Sequence, residues 1–344
     1  MNTEIFRVDP DAIDERAIST CAKIINNGGL VAFPTETVYG LGADATDRSA
    51  AKKIYAAKGR PSDNPLIIHV ADPEDAERYA KTNELYYKLA KAFMPGPLTV
   101  ILEKKSVVPD EVTGGLSSVA VRCPSHEVAR ALISAAGVAI AAPSANLSGS
   151  PSPTCAQHVI ADMSGRIDAI IDGGEAQIGL ESTIVKIEGD KLIMLRPGAV
   201  TADALECVCE SVEIAAAVTE TLGENERPLS PGMKYRHYAP TAPLVLIDGE
   251  ADRVTRFFAE AQKKERCVII CYSEELEALD AERTIDIGGR DELDVQAQRL
   301  FGALREADGF GADIIYAHLP IQSGIGLALY NRLIRAATHT VKKI

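Results

Sequence analysis

The stretch KGRPSDNPLIIHV, residues 58–70, joins a polar loop to a short apolar run. An uninterrupted apolar run of this length, bounded by proline and glycine, is typical of a strand buried on both faces. A second polar segment, PSAN at 143–146, directly follows the apolar run VAIAA at 138–142. Loops at the ends of rigid strands are where α/β proteins bind ligands. Both segments therefore predict polar side chains at the mouth of buried strands.

Four side chains in these two loops suit an anionic, oxygen-rich ligand such as a nucleotide. Arg60 presents a planar fork of donors to phosphate, and Lys58 acts as a point charge. Ser144 and Asn146 add hydrogen-bonding groups. A purely structural reading stays open, because cations are also favourable at the end of a helix and Pro-Ser-x-Asn is a common turn composition.

Composition sets the class of protein. The chain has 344 residues, 46% of them hydrophobic and 25% charged, which indicates a globular protein with room for two domains. Its net charge of −13 disfavours binding to nucleic acid or to an anionic membrane surface. We therefore expect no membrane association and no strong nucleic-acid binding.

The cysteines and the N-terminus predict the compartment. Seven cysteines form no CxxC pair and have no histidine at metal spacing, so we interpret them as buried free thiols in a reducing compartment. No basic segment followed by an apolar one opens the chain, and no run is long enough to cross a membrane. The expected location is cytoplasmic.

Hydrophobic periodicity predicts an α/β domain over the first 215 residues. Several connections are too short for a crossover helix, so its sheet is expected to mix parallel and antiparallel pairs. The predicted helices are 14–27, 49–58, 84–93 and 125–136, and the predicted strands are 30–33, 66–70, 98–102, 119–122, 138–142, 169–171, 183–187 and 192–195.

The segment between the first strand and the second helix is less regular. Residues 35–39 are expected to continue extended, with Thr35 and Thr37 on one face and Glu36 on the other. GLGADA at 40–45 formally matches a dinucleotide fingerprint, but no acidic residue follows at the required distance. We interpret it as a tight turn.

A linker and a second domain complete the chain. Residues 216–243 are rich in proline and poor in aliphatic residues, and we expect a linker that acts as an active-site lid. Strands alternating with helices then predict a parallel, Rossmann-like domain at 244–344. Its predicted strands are 244–247, 268–271, 284–287 and 314–317, and its predicted helices are 253–264, 274–279, 293–307 and 325–338.

Two further polar residues lie within apolar strands. His69 has the default interpretation of a satisfied core histidine, and Arg122 either pairs with an acid or holds a substrate carboxylate. No Ser-His-Asp or Cys-His set and no histidine pair at metal spacing is visible, so covalent and metal-centred hydrolysis are poorly supported. No Walker A sequence is present.

Taken in order, the polar motifs closely resemble the YrdC-type threonylcarbamoyl-AMP synthase family in its long, two-domain form. The motifs are PTETVYGL at 34–41, KGRPSDNPL at 58–66, PGPLT at 95–99, VRCP at 121–124, PSAN at 143–146, STIV at 182–185, LRPG at 195–198 and SPGMKYRHYAP at 230–240. The resemblance implies a YrdC-like domain at 1–215 with a twisted mixed sheet and flanking helices, a linker at 216–243, and a smaller Rossmann-like parallel α/β domain at 244–344.

The resemblance also implies an activity. Members of the family are nucleotidyltransferases that condense L-threonine, bicarbonate or CO2, and ATP to threonylcarbamoyl-AMP and pyrophosphate. Mg2+ is expected with ATP, and a downstream threonylcarbamoyl-transfer complex would use the product for the t6A modification of tRNA. Two alternatives remain, an RNA-binding module of tRNA modification and an ATP-dependent carbamoyltransferase.

The resemblance carries site residues onto this chain. Lys58 and Arg60 are the implied catalytic cations. The implied ATP-binding residues are Lys58, Arg60, Asn64, Ser144, Asn146, Ser152, Arg196 and Tyr235. The implied threonine-binding residues are Thr35, Thr37, His69, Ser118, Arg122, Ala142 and Ser182, with the choice between Thr35 and Thr37 open.

Overall fold

The computed structural model describes residues 2–219 and 238–344. They form two compact units. The first unit contains the residues up to Ser148, Ser152–Gln177 and the described residues from Glu181 to position 219. The second unit contains Gly149–Pro151, Ile178–Leu180 and residues 238–344. Most of the expected lid at 216–243 lies outside the described residues, so both the lid and the domain boundaries stay predictions.

The first unit is built on one mixed sheet, as the sequence predicted. Its strands are β1 Glu4–Arg7, β2 Val31–Phe33, β3 Gly40–Asp44, β4 Ile67–His69, β5 Ala80–Lys81, β6 Leu98–Lys104, β7 Ser118–Arg122, β8 Ile140–Ala142, β9 Ala169–Asp172, β10 Thr183–Glu188, β11 Lys191–Arg196 and β12 Ser211–Ile214. The order across the sheet is β1-β9-β2-β3-β8-β4-β7-β6-β10-β11-β12, with β5 paired to β6.

Helices pack on this sheet. They are α1 Glu15–Asn26, α2 Arg48–Lys58, α3 Glu84–Phe93, α4 Asp110–Thr113, α5 Glu127–Ala136, α6 Ala156–Met163 and α7 Ala202–Glu206. Of these, α1, α2, α3 and α5 correspond to the four predicted helices, whereas α4, α6 and α7 were not predicted. Gly59 ends α2 in the left-handed conformation, with φ of 66°, which glycine adopts without steric cost. The polar loop therefore begins directly after Lys58.

One face of the sheet carries two separate apolar clusters. Helices α1 and α5 pack over Val31, Phe33 and other residues at the β1 side of this face. Further along the sheet, the second cluster contains no α-helical residue among those described. It consists of the buried residues Ile67, Ile101, Ala120, Ile184 and Leu195, with Ile193, Ala215 and Ala217 packed against it. We call this second cluster the floor; polar strand ends border it.

Two predictions around β3 were wrong. Residues 40–44 form a strand between β2 and β8 and not a tight turn. Its glycines allow close packing, since a Cβ added at Gly42 would lie 2.7 Å from Ile140 Cγ2 and 2.9 Å from Phe33 Cε1. The preceding residues 36–38 form a bend and not extended chain.

The second unit is an open parallel sheet, which confirms the Rossmann-like prediction. Its strand order is β15-β14-β16-β13-β17, and each pair of neighbouring strands in this order is parallel. Its strands are β13 Leu244–Asp248, β14 Cys267–Cys271, β15 Thr284–Asp286, β16 Ile314–His318 and β17 Val341–Lys343, and its helices are α8 Ala251–Lys264, α9 Leu293–Gly309 and α10 Gly324–Ala336. The helix expected at 274–279 is a 3-10 helix, Ser273–Ala278.

The cysteines only partly follow the prediction of buried thiols. All seven are free, and Cys21, Cys123, Cys267 and Cys271 are buried. Cys207 is exposed, since it lies at the end of the short helix α7 near the edge of the sheet. Within the described ranges, no helix has the length and apolar character needed to span a membrane.

The packing around β3 makes a prediction about stability. Gly42→Ala is expected to destabilise the first unit by about 1–3 kcal/mol, because the added methyl group overpacks the contact with Phe33 and Ile140. Gly302→Ala, inside α9, is the control with the opposite sign. No heavy atom lies within 4 Å of its added Cβ, and alanine favours a helix over glycine. Urea denaturation of both variants measures the difference, and an unchanged midpoint for Gly42→Ala would contradict the packing argument.

Candidate active site

Lys58 lies at the centre of the first polar group. It is 3% exposed, and its Nζ donates to the carbonyl oxygens of Ser144, at 2.6 Å, and Asn146, at 2.5 Å. Asn146 Oδ1 lies 3.3 Å from Nζ and accepts from Ser144 Oγ at 2.5 Å. The structure thus brings together three of the side chains predicted from separate loops. Besides providing a positive charge, Lys58 holds the loop in place.

The same loop is also anchored to strand β3 through its backbone. Leu41 N donates to the Pro143 carbonyl and Ala145 N to the Tyr39 carbonyl, both at 2.8 Å. These bonds continue the antiparallel pairing of β3 with β8 past the end of the strand. The loop therefore has a fixed position relative to the sheet.

Arg60 and Asn64 belong to the polar loop between α2 and β4. Arg60 Nη2 donates to the Pro65 carbonyl at 3.2 Å, and its Nε lies 3.4 Å from the Asn64 carbonyl. Asn64 is 2% exposed, and its side-chain Oδ1 has no hydrogen-bond partner among the residues described. A buried polar atom without a partner is costly, so Asn64 retains capacity for a ligand.

Between β2 and β3, Thr35 folds the chain into a turn. Its Oγ1 accepts from the backbone N–H groups of Thr37 and Val38 at 3.2 Å each. We predicted that Thr35 and Thr37 share one face because they alternate along an extended chain, and the extended chain was wrong. Their hydroxyls do meet, at 2.9 Å, because the turn brings them together. Both side chains are buried.

Arg122, at the end of β7, faces this turn. Its Nη2 lies 2.7 Å from Glu36 Oε1 and 3.5 Å from Thr35 Oγ1. Both charged side chains are 4% exposed. The sequence left two interpretations of Arg122 open. The structure shows the pairing with an acid, and that acid is Glu36. The sequence prediction had placed Glu36 on the face away from the site.

His69 is next to Arg122 in the sheet and stays uncharged. The parallel register of β4 and β7 pairs the two residues, and His69 Nδ1 lies 3.3 Å from the Ile140 carbonyl. Burial, assisted by the charge of Arg122, lowers the pKa of His69 to about 3. The imidazole is therefore neutral over the physiological pH range.

A third polar group is formed by Ser182 and Arg196. Arg196 Nε donates to the Ser182 carbonyl at 3.0 Å, and its Nη2 lies 3.1 Å from Ser182 Oγ. Thr99, whose hydroxyl is 2.7 Å from Ser182 Oγ, is paired with Arg122 in the register of β6 and β7. The group therefore borders the Arg122 end of the floor.

The sheet register fixes the two ends relative to one another. Ser118 begins β7 and Arg122 ends it, so about 13 Å of strand separates them at roughly 3.3 Å per residue. Ala142 lies opposite Ile67 on β4, which places the loop at 143–146 beside the Asn64 end. Ser152 Oγ donates at 2.6 Å to Glu181, which is next to Ser182 in the chain. Tyr235 lies outside the described residues.

Sequence reasoning missed three residues that complete these groups. They are Glu36, Thr99 and Glu181. The sequence held a weak signal for Glu36 and Thr99, because they lie inside the motifs PTETVYGL and PGPLT on which the resemblance rests. Their partners are far away in sequence, so only the folded chain reveals the contacts.

The arrangement has a definite chemical character. Cations and amide groups border one end of an apolar floor, and a buried ion pair with four hydroxyl groups borders the other. No described residue is placed as an activated nucleophile, and no group of three or more His, Cys, Asp or Glu in the described chain could hold a metal ion. Such a site can bind and align two polar substrates.

Comparisons with known proteins cover both units. Residues 23–198 match the Sua5/YciO/YrdC family, described as Telomere recombination, and residues 200–338 match the family described as Threonylcarbamoyl-AMP synthase, C-terminal domain. The chain is 45% identical over 339 residues to the threonylcarbamoyl-AMP synthase of Pyrococcus abyssi, covering 97% of this chain and 98% of that one. It is 44% identical over 332 residues to the enzyme of that name from Bacillus subtilis, covering 96% of this chain and 95% of that one.

Solved structures of related proteins show the same family relationship. The crystal structure of P. abyssi Sua5 complexed with L-threonine superposes with a TM-score of 0.92 at 44% identity, covering 99% of this chain and 100% of that one. Escherichia coli YciO matches with a TM-score of 0.52 at 25% identity, covering 57% of this chain and 96% of its own. The chain therefore belongs to the Sua5/YciO/YrdC family, and within it to the members that carry the threonylcarbamoyl-AMP synthase C-terminal domain.

Proposed function

We propose that this chain is an enzyme that condenses L-threonine, bicarbonate or CO2, and ATP to threonylcarbamoyl-AMP and pyrophosphate. The observation that carries the proposal is the similarity of 44–45% identity, over nearly the full length, to enzymes named threonylcarbamoyl-AMP synthase. The product is an activated anhydride, and we propose that a downstream threonylcarbamoyl-transfer complex consumes it to form t6A in tRNA. We place the reaction in the cytoplasm.

Threonine is assigned to the Arg122 end of the floor. Arg122 offers a guanidinium to the substrate carboxylate. Thr35 Oγ1 donates to the Val38 carbonyl and accepts from two backbone N–H groups, so Thr37 and Ser182 are the hydroxyls proposed to contact the substrate hydroxyl. His69 is neutral there, so it contributes shape and a hydrogen bond and not charge. Ser118 and Ala142 line the strands between this end and the nucleotide.

ATP is assigned to the end bordered by Lys58 and Arg60. Asn64, with its unpartnered buried Oδ1, and the loop residues Ser144 and Asn146 are proposed to bind the nucleotide. The resemblance adds Ser152, Arg196 and Tyr235 to the ATP set. Arg196 is bonded to Ser182 and so belongs to the Arg122 end, where we propose that it faces both substrates, and Tyr235 lies outside the described residues. Because Lys58 is bound to the loop, its removal would displace Ser144 and Asn146 as well as remove a charge.

The chemistry requires alignment and charge stabilisation. The threonine amine captures CO2 as a carbamate, a carbamate oxygen attacks the α-phosphorus of ATP, and pyrophosphate leaves. Nucleophile and electrophile are both anionic, so the barrier is mainly electrostatic and positional. Lys58 and Arg60 offset the negative charge of the phosphates, and no protein nucleophile is needed. We expect Mg2+ to be held mainly by the phosphate oxygens of ATP.

The central test is threonine-dependent release of pyrophosphate from ATP in the presence of bicarbonate. Arg60→Ala and Lys58→Ala are each expected to lower the rate at least about 100-fold, because each removes a cation aimed at developing charge. Lys52→Ala is the matched control. Lys52 lies on the same helix with its side chain 66% exposed, and its removal should leave the rate within about 2-fold.

Serine in place of threonine, and carbamoyl phosphate in place of threonine and bicarbonate, serve as substrate controls. Unaltered rates in both Lys58→Ala and Arg60→Ala would contradict the assigned roles. Absence of threonine-dependent pyrophosphate release from the unaltered protein would contradict the proposed function itself.

The need for Mg2+ can be measured separately. Chelation with EDTA is expected to abolish pyrophosphate release, and excess Mg2+ is expected to restore it, because the divalent ion neutralises the phosphates. Binding of L-threonine alone, measured by calorimetry, should be unchanged by EDTA. A loss of threonine binding on chelation would show that a metal is held by the protein at the threonine end.

Burial of His69 predicts a pH dependence of stability. The unfolded chain binds a proton at His69 near pH 6.5, and the folded chain does so only near pH 3. The stability that neutral His69 provides is therefore complete above pH 6.5 and is lost as the pH falls, by at most about 1.4 kcal/mol per pH unit. Urea denaturation between pH 7 and pH 4 should show His69→Gln losing less stability than the unaltered chain. A difference independent of pH would contradict the assignment.

A further inference from the structure

The ion pair between Glu36 and Arg122 is buried but incompletely satisfied. Glu36 is 3% exposed and Arg122 is 4% exposed. Although Arg122 Nη2 lies 2.7 Å from Glu36 Oε1, the geometry is that of a charge contact and not of an aligned hydrogen bond. Neither carboxylate oxygen of Glu36, nor Arg122 Nε, has a hydrogen-bond partner among the residues described. Buried charges of this kind are costly unless a ligand completes their bonding.

The neighbouring histidines do not alter the charge of the pair. His69 is neutral, because burial and the charge of Arg122 lower its pKa. Burial also lowers the pKa of His126, although the carboxylate of Glu36 opposes that shift. The pair itself places a carboxylate and a guanidinium beside the hydroxyl of Thr35, which meets that of Thr37.

A zwitterionic α-amino acid is complementary to this arrangement. Its carboxylate needs N–H donors and its ammonium group needs acceptor oxygens, and the two groups are separated by a single carbon. Arg122 Nε and Glu36 Oε2 have no partner among the described residues, and Glu36 Oε1 has only its charge contact with Arg122 Nη2. Adding a neutral zwitterion to a neutral ion pair also leaves the buried site without excess charge.

We infer that Glu36 binds the α-ammonium group of the amino-acid substrate while Arg122 binds its carboxylate. This inference rests on the proposed function, which brings L-threonine to this end of the floor, and it adds a specificity-determining residue. Glu36 selects a free α-amino group over a hydroxyl or an acylated nitrogen. Thr37 and Ser182 are left to contact the side-chain hydroxyl.

The first test uses the unaltered full-length protein and compares ligands by isothermal titration calorimetry. L-Threonine is compared with (2S,3R)-2,3-dihydroxybutanoate, in which a hydroxyl replaces the ammonium group, and with N-acetyl-L-threonine. Both analogues should bind at least about 30-fold more weakly, as expected when a buried charge is left unpaired. Equal affinity of dihydroxybutanoate and threonine would overturn the inference.

The second test uses variants. Glu36→Gln should weaken threonine binding at least about 30-fold and change dihydroxybutanoate binding by less than about 3-fold, whereas Arg122→Gln should weaken both ligands. Glu84→Gln is the matched control, since Glu84 is exposed and pairs only on the surface with Lys88, and threonine binding should be unchanged.

The outcomes separate this inference from the proposed function. Equal losses for threonine and dihydroxybutanoate in Glu36→Gln would show a merely structural role and overturn the inference, as would unchanged threonine binding. If thermal unfolding shows that Glu36→Gln does not fold, the comparison of ligands on the unaltered protein decides. Failure of the unaltered protein to bind threonine would instead overturn the proposed function.

Discussion

The mixed sheet of the first unit is the constraint on which the site depends. Strands β4, β7, β6 and β10 pack against helices on one side, and on the other side they carry the buried apolar cluster called the floor. Because register fixes which residues share a face, the polar groups can stand only at the ends of these strands. The sheet thereby holds two separate polar ends a fixed distance apart, and this spacing is what a two-substrate reaction requires.

Buried charge is the second common element of the two ends. Lys58 is surrounded by loop oxygens, whereas Glu36 and Arg122 retain unsatisfied atoms. The contacts of Lys58 stabilise a loop at the proposed ATP end, where Asn64 Oδ1 also lacks a partner among the described residues. The contacts of Glu36 and Arg122 are incomplete and depend on a ligand. The cost of desolvation therefore favours a fixed loop and ligand binding together.

The sequence predicted most of the regular elements, because their periodicities are strong. α3 and the strands around β7 and β8 agree with the prediction to within one or two residues. The segment from Thr35 to Asp44 was mispredicted twice. Alternating β-branched residues suggested extended chain where a side-chain-capped turn forms, and glycines suggested a turn where close packing of strands needs them. The pairing of Glu36 with Arg122 depends on that turn, so it could not be predicted either.

The contacts that build the site also set when it can form during folding. Lys58 is bonded to a residue 88 positions away, and Arg122 to one 87 positions away. Contacts of such sequence separation form late, since long loops must close first. Arg196 is the described site residue that comes last along the chain. A fragment or a nascent chain that stops before this residue lacks part of the described site. Ligand binding therefore indicates that the first unit has been completed.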